Sequence, residues 1–453
     1  MVYAIRSYLW IGVLLLLGLG CAAPRDLAWQ PPRPLAADQP AYRPPKRPVF
    51  DAEVDTSRTV AQLTLEAALR YTLRFNPELQ AAAWEVRARE ARVLQAGLWP
   101  NPELESDIDG AGATGPGLDP QDREMSLVLT QELPLGGDQG AARRQAMQEA
   151  RLAGWNYEAV RLELVARTRQ AFVEVLTAQE RLRLADSLLQ LARRFEQAVQ
   201  ARVSAGKAPP FEARRAMVVR ANAELAAREA AQMLEAARRQ LQSLWGPAGP
   251  RFDQVVGTLS EVDPVPSFAT LRPLLTQHPA LAQFAARRAL QQSTLQLARA
   301  RRIPNLNLVA GLVRYGNTGT QAFRLGLRLP LPLFDRQQGN IQEARYRLLQ
   351  TETEAEAVRQ ALIRRLALAH ARLLTSYQAV QQLQQEVLPA AREIFAVIEQ
   401  GYREGKFDLL TVLDAQRTLL ETTHQYLDAL RDYHQARAEV EALIAQPLNR
   451  LSH

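Results

Sequence analysis

The tetrapeptide Asn76-Pro77-Glu78-Leu79 returns 202 residues later as His278-Pro279-Ala280-Leu281. Pro102-Glu103-Leu104-Glu105 returns at the same offset of 202 as Pro304-Asn305-Leu306-Asn307. Leu133-Pro134-Leu135 matches Leu331-Pro332-Leu333 at 198, and Ala205-Gly206-Lys207 matches Glu404-Gly405-Lys406 at 199. Echoes in one order at nearly one offset mark a tandem duplication. The 453-residue chain must therefore fold one plan twice. Gly246-Pro247-Ala248-Gly249-Pro250, with Pro264 and Pro266 beyond it, reads as the linker between the copies, 246–267.

Each copy reads as helix, two strands, long helix, turn, helix. Thr64 caps a helix with Glu66 in its first turn, and a helix follows through 78–97, stopped by Gly97 and Pro100. Residues 138–205 contain no proline and only Gly140 and Gly154. Within them Val165, Phe172, Leu176, Leu182, Leu189, Phe195, Val199 and Val203 recur as a coiled-coil-like seam. A helix of that span is about 100 Å long. Gly206, Pro209 and Pro210 end it and start a return helix, 211–245. The second copy gives helices at 268–300, 337–404 and 408–445, with Pro389 expected to kink the longest. Aromatic residues are only 6% of the chain and many apolar positions are Ala or Leu, a mix that suits helices. Helices this long cannot bury themselves in one globule, so they must pack side by side as hairpins. On the helices alone, a rod-like coiled coil remains open.

The strands separate the readings. Four candidates lie at 102–110, 124–134, 304–315 and 322–333. In the last, Phe323, Leu325, Leu327, Leu329 and Leu331 alternate with Arg324, Gly326 and Arg328. In the first, Leu104, Ser106 and Ile108 alternate with Glu103, Glu105, Asp107 and Asp109. Apolar-out, polar-in strands of about ten residues are the pattern of a membrane β-barrel. Four strands cannot close a barrel, since about eight is the practical minimum. An open sheet in lipid would leave backbone groups unsatisfied at several kcal/mol each. If these strands cross a membrane, the protein must oligomerise; otherwise they form a small soluble sheet packed on the helices.

At the N-terminus, Arg6 precedes the apolar run 9–20, too short for a comfortable span of ~20 residues, in the manner of a signal peptide. Gly18-Leu19-Gly20-Cys21 is similar to a bacterial lipobox, with Gly18 where Leu is usual. The expectation is cleavage after residue 20 and acyl chains on Cys21, the only cysteine, with palmitate among them; the alternative is an ordinary signal peptide with an incidental cysteine. Prolines 24, 31, 32, 34, 40, 44, 45 and 48 make the following segment an extended tether. A single cysteine excludes an internal disulfide framework and a Cys-rich metal cluster.

Other chemistry is not written in the chain. The histidines, His278, His370, His424, His434 and His453, show no metal-ligand spacing. There is no phosphate-binding glycine loop and no nucleophile elbow, so no enzyme is expected, no metal site and no cofactor beyond the covalent lipid on Cys21. A net charge of +7 over this length does not point to nucleic acid. Arg143-Arg144, Arg193-Arg194 and Arg238-Arg239 read as helix surface.

Several segments together resemble the outer-membrane efflux factor family, the TolC-like channels. They are Leu63-Thr64-Leu65-Glu66-Ala67-Ala68-Leu69, Asn76-Pro77-Glu78-Leu79, 95–104, Gln131-Glu132-Leu133-Pro134-Leu135-Gly136-Gly137, 330–335 and Thr411-Val412-Leu413-Asp414-Ala415-Gln416-Arg417. Pro100-Asn101-Pro102-Glu103-Leu104 and Leu133-Pro134-Leu135-Gly136-Gly137 look most like the CzcC/CusC-like heavy-metal efflux branch. The resemblance spans about residues 60–445. It implies a mostly α fold with a membrane β-barrel: a homotrimer whose protomers each give four strands to a twelve-stranded outer-membrane barrel, with helical hairpins forming a periplasmic barrel. It also implies a periplasmic adaptor (a membrane fusion protein) and an inner-membrane RND pump as partners. Such a duct would export heavy-metal cations; drug efflux, type I secretion or a non-pore helical lipoprotein are the alternatives. In the family, acidic residues on the return helix of the second copy narrow the periplasmic mouth. Asp414 holds such a place, with Arg417 one turn on and Arg215 as its repeat equivalent, while Thr411 stands where some members have a second Asp. Ion pairs among Asp414, Arg417 and Arg215 are the expected gate, against solvated surface charges. Adaptors dock at the hairpin tips, here Gly206-Lys207 and Gly405-Lys406, which otherwise simply terminate helices.

The division expected is 1–20 signal peptide, 21–58 lipid anchor and tether, 59–245 first repeat, 246–267 linker, 268–445 second repeat and 446–453 tail. The localisation expected is the bacterial outer membrane, lipid-anchored and reaching into the periplasm.

Overall fold

The structure, a computed structural model, describes residues 59–110 and 123–450. The signal segment, Cys21, the tether and most of the first strand-to-strand loop lie outside the described residues.

The first repeat runs β1 (Thr59–Thr64), α1 (Leu65–Phe75), α2 (Pro77–Gln95), β2 (Glu103–Asp109), β3 (Glu124–Leu133), α3 (Asp138–Ser204) and α4 (Pro210–Ser243). The second runs β4 (Arg251–Val256), a short α5 (Phe268–Leu271), α6 (Pro279–Ala300), β5 (Leu306–Tyr315), β6 (Gln321–Arg328), α7 (Gln338–Gln382), α8 (Leu388–Arg403) and α9 (Leu409–Ile444). At 67 residues α3 is continuous and about 100 Å long.

Thr64 caps α1 as the sequence predicts: its hydroxyl accepts from Ala67 N at 3.3 Å. Two features differ from the sequence reading, and a third, the interruption expected at Pro389, takes a specific form. The expected helix 268–300 is broken into α5, a 3₁₀ turn Arg272–Gln277 and α6. Pro273 and Pro279 cannot donate into a continuous helix, and each instead sits in the first turn of a new one. The expected helix 337–404 is divided by a single π turn, Leu383–Val387. Pro389, two residues on, lacks the N–H that would close the ladder, and the extra residue of the π turn accommodates that loss. The segment 246–267 is more than a linker, because β4 lies in it and pairs in parallel with β1 from Thr59↔Arg251 to Thr64↔Val256.

That β1–β4 pair ties the start of the two repeats together. Leu63, Phe252 and Val255 bury their side chains against Phe172, Leu176 and Trp245 in the largest apolar core. Gln179 of α3 accepts from Val255 N at 2.8 Å and donates to Val255 O at 3.1 Å, closing the strand edge that faces the helix. The core continues along α7 and α9 through Leu366, Leu373, Leu430 and Tyr433. Tyr433 Oη accepts from Asp263 N at 2.8 Å and donates to Asp263 O at 2.9 Å, pinning the inter-repeat segment to α9.

The second sheet has order β2-β3-β5-β6 and is antiparallel throughout. It stands at the end of the helices opposite the hairpin tips, and β2 and β6 are its two unpaired edges.

Candidate functional site

Directly opposed residues in an antiparallel sheet share a face. The register sets Leu104 against Leu129, Ile108 against Met125, Leu127 against Leu312, Leu308 against Leu327 and Leu312 against Phe323. One face thus carries Leu104, Ile108, Met125, Leu127, Leu129, Leu308, Leu312, Phe323, Leu325 and Leu327, each at least 40% exposed. Arg314 and Gln321 at the loop end and Gln131 at the helix end bound this band, and an exposed apolar stretch between polar rims fits a lipid environment and not water. No helix among the described residues is long and apolar enough to cross a membrane.

The opposite face is acidic along β2 and β3 and mixed along β5, where Val309, Val313 and Tyr315 lie on it. It carries Glu103, Glu105, Asp107, Asp109, Glu124 and Glu132 as carboxylates, with Arg324 and Arg328 as the only guanidinium groups. Ser126, Thr130 and Asn307 lie between them. An inner surface with this excess of carboxylates concentrates cations.

At the far end of the helices, the two hairpin tips share one geometry. Gly206 (φ +74°) and Gly405 (φ +77°) occupy the left-handed region that only glycine enters without strain. Lys207 N donates to Arg202 O at 2.9 Å and Gly206 N to Val203 O at 3.0 Å. Lys406 N donates to Gly401 O at 2.8 Å and Gly405 N to Tyr402 O at 3.0 Å. Both tips are therefore Schellman motifs. The return helices start differently. Pro210 opens α4 at its first position, whereas Asp408 caps α9 by accepting from Thr411 N at 3.0 Å. The same Thr411 donates its hydroxyl to Asp408, and these bonds hold the Asp408 carboxyl below its ordinary range. Thr411 is thus committed to the cap. At the second tip Lys406 Nζ lies 2.6 Å from Glu404, whose carboxyl it holds low.

Just behind the tips the repeats touch. Tyr402 is buried, with its ring 5.9 Å from Phe195 and the Arg202 guanidinium 4.9 Å from its centroid. Leu409 and Val412 complete this cluster. Gly401 has room for nothing more, since a Cβ there would lie 2.3 Å from the Phe407 ring. Sequence reasoning did not pick out Tyr402, Arg202 or Asp408. The Asp408 cap was visible in principle, as an acidic residue immediately before an apolar helix.

Within one protomer the expected gate residues form no direct ion pair with one another, although the Asp414 charge favours Arg417 through space. Asp414 and Arg215 are both exposed, and Arg417 pairs with Glu421 on its own helix at 2.7 Å, which raises its pKa. Arg215 lies close enough to Asp408 to favour that carboxylate. Arg417 also lines a groove of about 780 Å³ between α3, α4 and α9, together with Leu188, Met233, Leu413 and His424. The described histidines are tied into packing. His434 Nε2 sits 2.8 Å from Leu259 O and His370 Nε2 2.9 Å from Pro266 O. Among the described residues no group of three His, Cys, Asp or Glu side chains is arranged to hold a metal.

Helical hairpins about 100 Å long under a sheet with one lipid-type face and one wet face define an outer-membrane conduit. Two stretches, residues 68–247 and 270–446, match the outer membrane efflux protein family, so the chain belongs to that family. The two stretches coincide with the two copies of the repeat. The chain is 34% identical to the cobalt-zinc-cadmium resistance protein CzcC of Cupriavidus metallidurans, over 88% of this chain and 93% of that protein. It is 28% identical to the pyoverdine export outer membrane protein OpmQ of Pseudomonas aeruginosa, over 78% of this chain and 79% of that one. Crystal structures of CusC superpose with a TM-score of 0.72 at 19% identity, covering 90% of this chain and 99% of CusC. The Campylobacter jejuni CmeC outer membrane channel gives 0.69 at 18% identity, over 84% and 85% of the two chains. The protein is an outer-membrane efflux channel.

Proposed function

We propose that three copies of this chain close into a twelve-stranded barrel and form the passive outer-membrane duct of a tripartite efflux system for divalent heavy-metal cations. The observation that carries the assembly of several copies is the open four-stranded sheet. Its apolar face suits lipid, while β2 and β6 each leave a row of backbone groups unpaired, which lipid does not tolerate. Closure needs at least two such sheets to bring every edge to a partner, and three is the number the family resemblance implies.

The metal cargo is supported by the 34% identity to a cobalt-zinc-cadmium resistance protein and by the excess of carboxylates on the wet face. The duct has no catalytic task. Energy comes from an inner-membrane RND pump, reached through a periplasmic adaptor that docks on Gly206-Lys207 and Gly405-Lys406. Asp414, Arg417 and Arg215 gate the periplasmic mouth through contacts between protomers. The segment 1–20 is removed, Cys21 carries acyl chains, and 21–58 tethers that anchor to the first repeat. Residues 59–245 and 268–445 form the two repeats.

Two measurements test this reading. The purified protein in detergent has a trimer mass by light scattering and gives discrete conductance in planar bilayers. Deleting its gene sensitises cells to cobalt, zinc or cadmium, and the chain restores resistance. A monomer without conductance overturns the duct. Sensitisation to organic compounds with unchanged metal tolerance overturns the cargo and favours the reading suggested by the pyoverdine exporter.

A further inference from the structure

The two edges of the four-stranded sheet carry opposite charges on the same face. On β2, every position that faces inward is acidic: Glu103, Glu105, Asp107 and Asp109. On β6, Arg324 and Arg328 face the same side, with bare Gly326 between them and small Ala322 before Arg324. All of these charged side chains are exposed, and among the described residues none has an ion-pair partner within the protomer.

They cannot meet inside one chain. Glu105, Val128, Gly311 and Arg324 lie in one row across the sheet. Three strand spacings separate the ends of that row, about 14 Å. We infer that the acidic β2 edge of each protomer docks on the Arg324–Arg328 edge of β6 in a second copy of this chain, forming an inter-protomer charge seam on the inner face of the barrel. This inference rests on the trimer reading above.

Direction and register both allow the seam. Along β2, β3, β5 and β6 each neighbour reverses direction, so β6 meets the next β2 antiparallel, as the rest of the sheet does. Barrel closure requires a stagger between strands. That stagger must be an even number of residues, because an odd slip would turn the apolar face inward and the charges into lipid. The four carboxylates span about 20 Å of strand, and the two guanidinium groups are about 14 Å apart. A row of acids longer than the Arg pair keeps both Arg residues within reach of carboxylates over several even registers. The complementarity also works against a wrong assembly. A β2 edge against another β2 edge would oppose carboxylate to carboxylate, and a β6 edge against β6 would oppose guanidinium to guanidinium.

The test compares full-length variants purified from outer membranes, read by the temperature at which the trimer dissociates on a gel and by light scattering. Arg324→Glu with Arg328→Glu lowers the dissociation temperature by several degrees or abolishes the trimer. Arg324→Lys with Arg328→Lys stays near wild type. Adding to the Glu double variant a compensating pair spaced like the two arginines, Glu103→Arg with Asp107→Arg or Glu105→Arg with Asp109→Arg, restores the trimer in one of the two, which separates a lost seam from a lost fold. A wild-type trimer whose dissociation temperature ignores the charge reversal overturns the seam and leaves the trimer standing. Failure of both compensating pairs to restore a trimer lost by the reversal also overturns the seam. A monomeric wild type overturns both.

Discussion

Asn76 and His278 hold the same place in the two repeats and cap the same kind of helix with different chemistry. The Asn76 side chain accepts from Leu79 N at 3.0 Å and donates to Leu244 O at 2.7 Å. His278 Nδ1 accepts from Ala280 N at 3.1 Å. Each is followed by a proline at the first helical position. The difference matters because an amide does not titrate near neutrality and an imidazole does.

Burial lowers the pKa of His278 to about 4, with the Arg365 charge adding to the effect. The cap itself needs Nδ1 unprotonated. In the unfolded chain His278 binds its proton near pH 6.5, so between there and pH 4 the unfolded state holds more protons than the folded one. Stability from this cap is complete above about pH 6.5, declines as pH falls, and is fully lost near pH 4, a change of about 1–3 kcal/mol. His278→Asn keeps a cap and removes the titration. Thermal melts at pH 7 and pH 4.5 should show a smaller acid-induced drop for the variant; equal drops would refute the assignment.

Glu441 joins the repeats through charge. It is 3% exposed and pairs with Arg169 of α3, with Arg437 Nε at 3.3 Å and with Leu448 N at 3.0 Å. Burial, with repulsion from Arg437, lowers the Arg169 pKa to about 10. Glu441→Ala leaves two guanidinium groups facing each other in a poorly hydrated site and should cost about 3–5 kcal/mol. Replacing the pair, Arg169→Met with Glu441→Leu, recovers much of that loss in a thermal melt. If Glu441→Ala melts as wild type does, the network is not holding the repeats together.

The legibility of this molecule follows sequence distance and period. The long helices and the four barrel strands stand out because many residues repeat one period, as Phe323, Leu325 and Leu327 do. The Schellman tips stand out because glycine is nearly obligatory at positive φ. The strands β1 and β4 were missed because each offers six residues, of which few point inward, Leu63 in one and Phe252 and Val255 in the other. The Arg169–Glu441 contact links positions 272 residues apart and leaves no local pattern. The gate residues lie between these cases: Asp414 and Arg417 are a local motif, but the gate proposed above places their partners on other protomers.

The tips give a local prediction. Gly405→Ala forces a Cβ into the left-handed region at a cost of about 1–2 kcal/mol. Only the last turn of α8 and the first of α9 share that bond network, so the global melt should barely move. Hydrogen exchange over residues 401–411 should quicken by roughly tenfold, and adaptor binding should weaken with it. Exchange confined to wild-type rates would show that the tip tolerates the change.

Glu421 decides how free Arg417 is. Its carboxylate holds Arg417 Nε at 2.7 Å within one helix, while Asp414, one turn away and exposed, favours the same guanidinium through space. If Arg417 closes the mouth by reaching Asp414 of a neighbouring copy, Glu421 competes for the same guanidinium. Removing each acid then has opposite consequences. Asp414→Ala deletes the inter-protomer acceptor and raises single-channel conductance in planar bilayers severalfold. Glu421→Ala frees Arg417, strengthens the closed state and lowers open probability. High salt weakens both effects, because the groups are exposed. Equal conductance in Asp414→Ala and wild type, with no opposing change in Glu421→Ala, would reduce these residues to solvated helix charges.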